Sequence, residues 1–283
     1  MEIKQRGNAF GYKILLFIYN FFGYNFVAFI LNFVALYYVI FAPSVKKSIM
    51  SYYKHQNIEF TYKVYFKHLK QFAISIFDRF VSQVKPQELT FCIHDKDVID
   101  LLNKEGGVIL LSHVGSWASA AHSLNSELPP MNIVMRETTK QNIQKVEKNT
   151  NNKEKTVKII DLNQDAISAN IQIANALISN ELVALMVDRV VDKRKSIKVD
   201  FLDSKVFINK SPFEIAQKVK KPLVAIFVTC NSAKKYDITL EKIEGNTLEE
   251  MSQEYSKKLQ NIIKKYPLQW YNFYDFFKQQ ESK

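Results

Sequence analysis

The sequence predicts an α/β fold: a mixed, mostly parallel sheet flanked by helices, behind an N-terminal membrane-associated helical segment. Three observations predict it. From about residue 90 onward, short apolar runs bounded by turn residues recur, as expected of strands covered on both faces. Stretches of helical period separate them, and strands alternating with helices favour parallel pairing. Ahead of all this, residues 14–42 contain no charged side chain.

Composition bounds the alternatives. A chain of 283 residues has room for one large domain or two small ones, and we divide it into an anchor over 1–50 and an α/β domain over 51–283. The hydrophobic share of 47%, with only 7 Gly and 7 Pro, excludes a disordered or linker-rich chain. The net charge of +11 suits a polyanionic partner: nucleic acid, acidic lipid headgroups or an acidic carrier protein. Cys92 and Cys230 are far apart and in no metal-ligand spacing, so neither a disulfide framework nor a metal site is expected, and a reducing compartment fits.

The elements follow in chain order. Residues 14–42 are flanked by Lys4, Arg6 and Lys13 on one side and Lys46 and Lys47 on the other. The stretch exceeds the roughly 20 apolar residues of a membrane span and is too long for a signal-peptide core. It reads as a spanning helix, as two shorter interfacial helices broken near Gly23-Tyr24-Asn25, or as a buried helix. Residues 46–70, rich in Lys, Tyr and Phe, read as helix, either at a lipid surface or packed on a core. Basic and aromatic residues also interleave in nucleic-acid binders, but no zinc finger, helix-turn-helix or ribonucleoprotein motif is present, so nucleic acid is not an expected partner.

Strands are expected over 91–94, 106–113, 132–137, 157–162, 181–188 and 221–230, with 236–243 as a final edge strand. Helices are expected over SWASAAHSLNSE, over part of 140–155, over 165–180, over 211–220 with Pro212 in its first turn, and over the amphipathic MSQEYSKKLQNIIKKY.

His113 closes the run VILLS and precedes a Gly-Ser turn. Open α/β sheets place ligands at the carboxyl ends of strands, where a histidine can act as a general base. The competing reading is a histidine satisfied by a backbone carbonyl at a strand end. His122, nine residues on, lacks a third ligand nearby, and no Gly-x-Ser-x-Gly elbow supports a serine nucleophile at Ser116 or Ser119.

The stretch VILLSHVGSW resembles the first motif of the lysophospholipid acyltransferase superfamily in its lipid A biosynthesis branch. That motif is a His, four residues, then an acid, and in this branch commonly His-x-Gly-Asn-Trp/Phe-Glu. His113, Gly115, Ser116 and Trp117 follow the pattern, while Ala118 occupies the acidic position. ELVALMVDRV resembles the branch's Asp-Arg segment, with Asp188 and Arg189. VDFLDSKVFINKSPFEIAQKVKKPLVAIFV is similar to the block that follows, with Asp203 and Ser211 where Gly is usual. YPLQWYNFYDFF resembles the Pro-x-Gln-Trp ending, through Pro267, Gln269 and Trp270, and FDRF, with Asp78 and Arg79, also fits. The likeness covers nearly the whole chain.

The resemblance implies transfer of an acyl chain from acyl carrier protein, or from acyl-coenzyme A, to a hydroxyl of a membrane glycolipid, with no further cofactor. It implies His113 as the base and Gly115, Ser116, Trp117, Arg136, Asp188 and Arg189 as substrate-binding residues, the arginines serving phosphate groups through their guanidinium forks. Asp188 and Arg189 also read as an ion pair closing a strand end. The implied location is the bacterial inner membrane, with the α/β domain facing the cytoplasm. Because Ala118 can neither orient nor charge-balance His113, three outcomes stay open. Another carboxylate, such as Glu137 or Asp188, reaches His113; His113 works alone and slowly; or the chain is an inactive lipid-binding homologue.

Overall fold

The computed structural model describes residues 9–135, 157–163, 165–190 and 192–278. Arg136, Glu137 and the expected helix within 140–155 lie outside the described residues, as does the side chain of His122.

Three helices open the chain: α1 (Ala9–Phe41), α2 (Pro43–His55) and α3 (Tyr62–Val84). α1 is two helical pieces joined at Gly23, whose φ of 75° and ψ of 179° no helix contains. The residue-50 boundary falls inside α2, whose Tyr52 and Tyr53 are core residues, as is Tyr65 of α3. Most aromatics of 46–70 therefore face the core, whereas Tyr62 is exposed. Thr61 caps α3 by accepting from the Val64 amide.

The α/β body follows: β1 (Thr90–Ile93), α4 (Lys96–Glu105), β2 (Gly107–Leu111), α5 (Trp117–Glu127), β3 (Met131–Met135), β4 (Val157–Asp161), α6 (Ala166–Ile178) and β5 (Leu182–Met186). It continues with a hairpin of β6 (Ser196–Phe201) and β7 (Ser204–Asn209), then α7 (Ser211–Val219), β8 (Leu223–Ser232), β9 (Lys235–Lys242) and α8 (Leu248–Lys265). Seven strands form one sheet in the order β1-β9-β8-β2-β5-β3-β4, parallel except at the β8/β9 pair.

Helices cover both faces, which explains the unbroken apolar runs. Val108 and Leu110 of β2 join Val183, Ala225 and Phe227 in the core beneath α7 and α8. Ile109 and Leu111 join Ala184, Val224 and Ile226 in the core beneath α1, α4 and α5.

One expectation needs correction. The strand over 236–243 is not an edge: β9 lies between β8 and β1, because β1, from far earlier in the chain, pairs along its outer side. The block VDFLDSKVFIN forms the β6–β7 hairpin, whose two-residue turn puts Leu202 and Asp203 at positive φ (48° and 56°). α4 was not among the expected elements; its Ile99 and Leu102 pack under the sheet.

Candidate active site

The site is assembled at the carboxyl ends of β2 and β5. The register pairs Leu111 with Met186, and the Val187 amide still donates to the Leu111 carbonyl. Carrying that offset two residues past the strand ends sets His113 opposite Asp188. The two side chains meet: His113 Nδ1 lies 2.8 Å from Asp188 Oδ1, and the His113 amide donates to Asp188 Oδ2 at 2.9 Å.

The loop bearing His113 is held from two sides. The Gly115 amide donates to the Gln269 carbonyl at 2.7 Å, the Ser116 amide to the Val228 carbonyl at 2.9 Å, and the Tyr271 amide to the His113 carbonyl at 2.8 Å. Gly115 is required by this threading. Its φ is +61°, and a Cβ there would stand 1.7 Å from the Val228 oxygen.

The C-terminal segment completes the site. Gln269 clips the end of β8, accepting from the Cys230 amide and donating to the Cys230 carbonyl. That clip positions Trp270, whose Nε1 donates to Asp188 Oδ2 at 2.8 Å. The Asp188 carbonyl accepts from the Tyr274 hydroxyl and the Asn272 amide. Asp188 is thus fully buried yet bonded through both carboxylate oxygens, the condition under which a buried charge persists.

The His113 side chain keeps 29% of its surface exposed. Burial pulls its pKa down, but the Asp188 charge and hydrogen bond outweigh that, leaving it above the ordinary 6.5 despite opposition from Arg189. For Asp188, burial works against the anion. The His113 charge and hydrogen bond, with the Trp270 bond, overcome it and hold the carboxyl below 3.8.

Other expected site residues occupy distinct places. Ser116 is buried, with Oγ 2.5 Å from Ser119 Oγ and donating to the Ser75 carbonyl of α3. Trp117 is half-buried against the core beneath α5. Arg189 is exposed and close enough to His113 to oppose its protonation. The Asp188 oxygens are taken by His113 and Trp270, so the carboxylate closes onto the site and not onto Arg189. Ala118 lies in the first turn of α5. Sequence reasoning assigned no role to Trp270, Asn272 or Tyr274. The Pro-x-Gln-Trp ending was the available signal for Trp270; nothing marked the other two.

Among the described residues, one trio brings potential metal-ligand atoms near each other: Cys92, His94 and Asp237, at the β1/β9 edge. None of the three is part of the His113 site.

The chain matches the family model for bacterial lipid A biosynthesis acyltransferase over residues 2–279. Comparison with curated proteins gives no match.

Proposed function

Because the chain belongs to the bacterial lipid A biosynthesis acyltransferase family, we propose that it moves a fatty acyl chain from an acyl carrier protein thioester, or acyl-coenzyme A, to a hydroxyl of a lipid A-type membrane glycolipid. His113 is the general base and Asp188 its positioning partner. The observation carrying this reading is the 2.8 Å contact between His113 Nδ1 and the buried Asp188 carboxylate.

Asp188 holds the Nδ1–H tautomer, leaving Nε2 to take the acceptor's hydroxyl proton. The acceptor oxygen attacks the thioester carbonyl, the C–O bond forms and the C–S bond breaks. The leaving thiolate recovers the proton from the imidazolium, which Asp188 stabilises meanwhile. Arg189, exposed beside His113, suits a phosphate on either substrate. Arg136 is proposed for the same task on the sequence resemblance. Gly115, Ser116 and Trp117 shape the site by fixing the loop. The proposed location is the inner membrane, with the site facing the cytoplasm.

Ala118 favours a second reading, an inactive lipid-binding homologue. Asp188 argues for activity, since it offers the carboxylate that Ala118 lacks. The test is acyl transfer by membranes carrying the wild type, His113→Ala or Asp188→Asn, with a labelled acyl carrier thioester and total lipid extract. Labelled lipid from the wild type, lost in His113→Ala, supports the acyltransferase. A folded wild type that labels nothing across chain lengths and acceptors supports the inactive homologue.

A further inference from the structure

We propose that α1 does not cross the bilayer but lies along one leaflet, with a row of aromatic side chains in the lipid and its inner face fastened to the α/β body. The proposal is independent of the acyl-transfer reading.

The inner face argues first. Tyr19, Tyr24, Val27, Leu31 and Ala35 are buried against the body. The Tyr19 hydroxyl donates to Glu88, which also pairs with Lys234, and Lys85 sits 4.7 Å over the Tyr19 ring. The Tyr24 hydroxyl donates to the buried Asp78 at 2.8 Å, and Lys234 sits 4.3 Å over the Tyr24 ring. A span needs about 20 residues. Any stretch of that length within Ile14–Phe41 includes Tyr24. Burying Tyr24 in hydrocarbon would carry Asp78, Lys234 and the adjoining turns of α3 in with it, and irregular or charged protein of this kind is not found facing lipid tails. The break at Gly23 also falls inside every such stretch.

The outer face argues second. Phe22, Phe26, Phe29, Phe33, Leu36 and Ile40 step by four and three along one side, each between 42% and 63% exposed. A row of this length on a soluble surface marks an interaction site. Its occupant is a leaflet of anionic lipid. Lys46 and Lys47 follow the row directly, and Lys46 bonds the exposed Tyr62, the basic and aromatic pairing that suits headgroup depth. A second copy of the chain would carry another net charge of +11 and place its own Lys46 and Lys47 beside the row, so the two copies would repel.

The experiment is protease topology on the full chain with an N-terminal tag. In intact spheroplasts and in inverted inner-membrane vesicles, the tag and the α/β domain are expected to be cut from the same side. Cutting from opposite sides overturns the proposal. In parallel, Phe29→Ser/Phe33→Ser should lower binding to phosphatidylethanolamine–phosphatidylglycerol vesicles at least tenfold with an unchanged thermal melt. If that variant fails to fold, Leu36→Ser/Ile40→Ser replaces it. Unchanged binding by a folded variant, or a dimer that the substitutions convert to monomer, also overturns it.

Discussion

Ala118 leaves His113 without a carboxylate from its own motif, and Asp188 meets it from the neighbouring strand, 75 residues away. If the two work as a pair, Asp188→Asn should lower kcat by up to about 10⁴-fold, the scale seen when the orienting acid of a Ser-His-Asp triad is lost. Ala118→Glu should change kcat by less than about tenfold, since the Nδ1 position is already taken, whereas a large gain would show Asp188 to be a poor substitute. The pH profile gives an independent check. The His113 pKa stands above 6.5, so the neutral base is lost as pH falls through a value above 6.5, and the acid limb of kcat/KM should lie there. In Asp188→Asn, burial acts without the opposing charge and the limb should move to lower pH. Both members of the pair stabilise the fold, with opposite dependence on pH. The His113 contribution is present below 6.5 and fades as pH rises through its raised pKa. The Asp188 contribution is present above 3.8 and fades as pH falls through its lowered one.

At the level of elements, the loop between β2 and α5 is a short connection with a precise load: it presents His113 while its backbone is stitched to β8 and to the C-terminal segment. Gly115 makes that possible. Gly115→Ala puts an L side chain at φ +61° and a methyl against the Val228 carbonyl, threatening two backbone hydrogen bonds. The cost should be about 2 kcal/mol or more. A thermal melt should fall by several degrees, and acyl transfer should fall with it as His113 leaves Asp188. A variant with wild-type melting and activity would mean that the loop threads differently. The Gly-Ser turn was visible in the sequence as a turn. That its glycine answers to a carbonyl on β8 was not, because the contact comes from a strand over 100 residues later.

Over the whole molecule, Asp78 is where three distant pieces converge. It lies on α3, accepts from Tyr24 of α1 and Tyr236 of β9, and has Lys234 nearby. Burial raises its carboxyl to about 6 against the bonds from both tyrosines and the charge of Lys234. The rise from 3.8 to about 6 corresponds to a cost on the order of 3 kcal/mol at neutral pH. That cost is relieved as pH falls from about 6 toward 3.8, because the folded state takes up the proton first. Asp78→Asn removes the charge and keeps an acceptor, so it should raise the melting temperature more at about pH 7.5 than at about pH 4.5. An equal change at both would show that folding does not raise the Asp78 pKa. By itself the sequence determined the local pattern: apolar runs for β2, β5 and β8, helical periods for α5, α6, α7 and α8, and a motif order that the family match bears out. Tertiary structure alone decided which carboxylate meets His113, that β1 takes the edge beyond β9, and that the inner face of α1 is bound to charged groups of the body. Periodicity and composition report that a residue will be buried, since burial depends on its own chemistry and its neighbours in the chain. They do not report its partner, which is selected by strand register and helix packing between segments far apart in sequence.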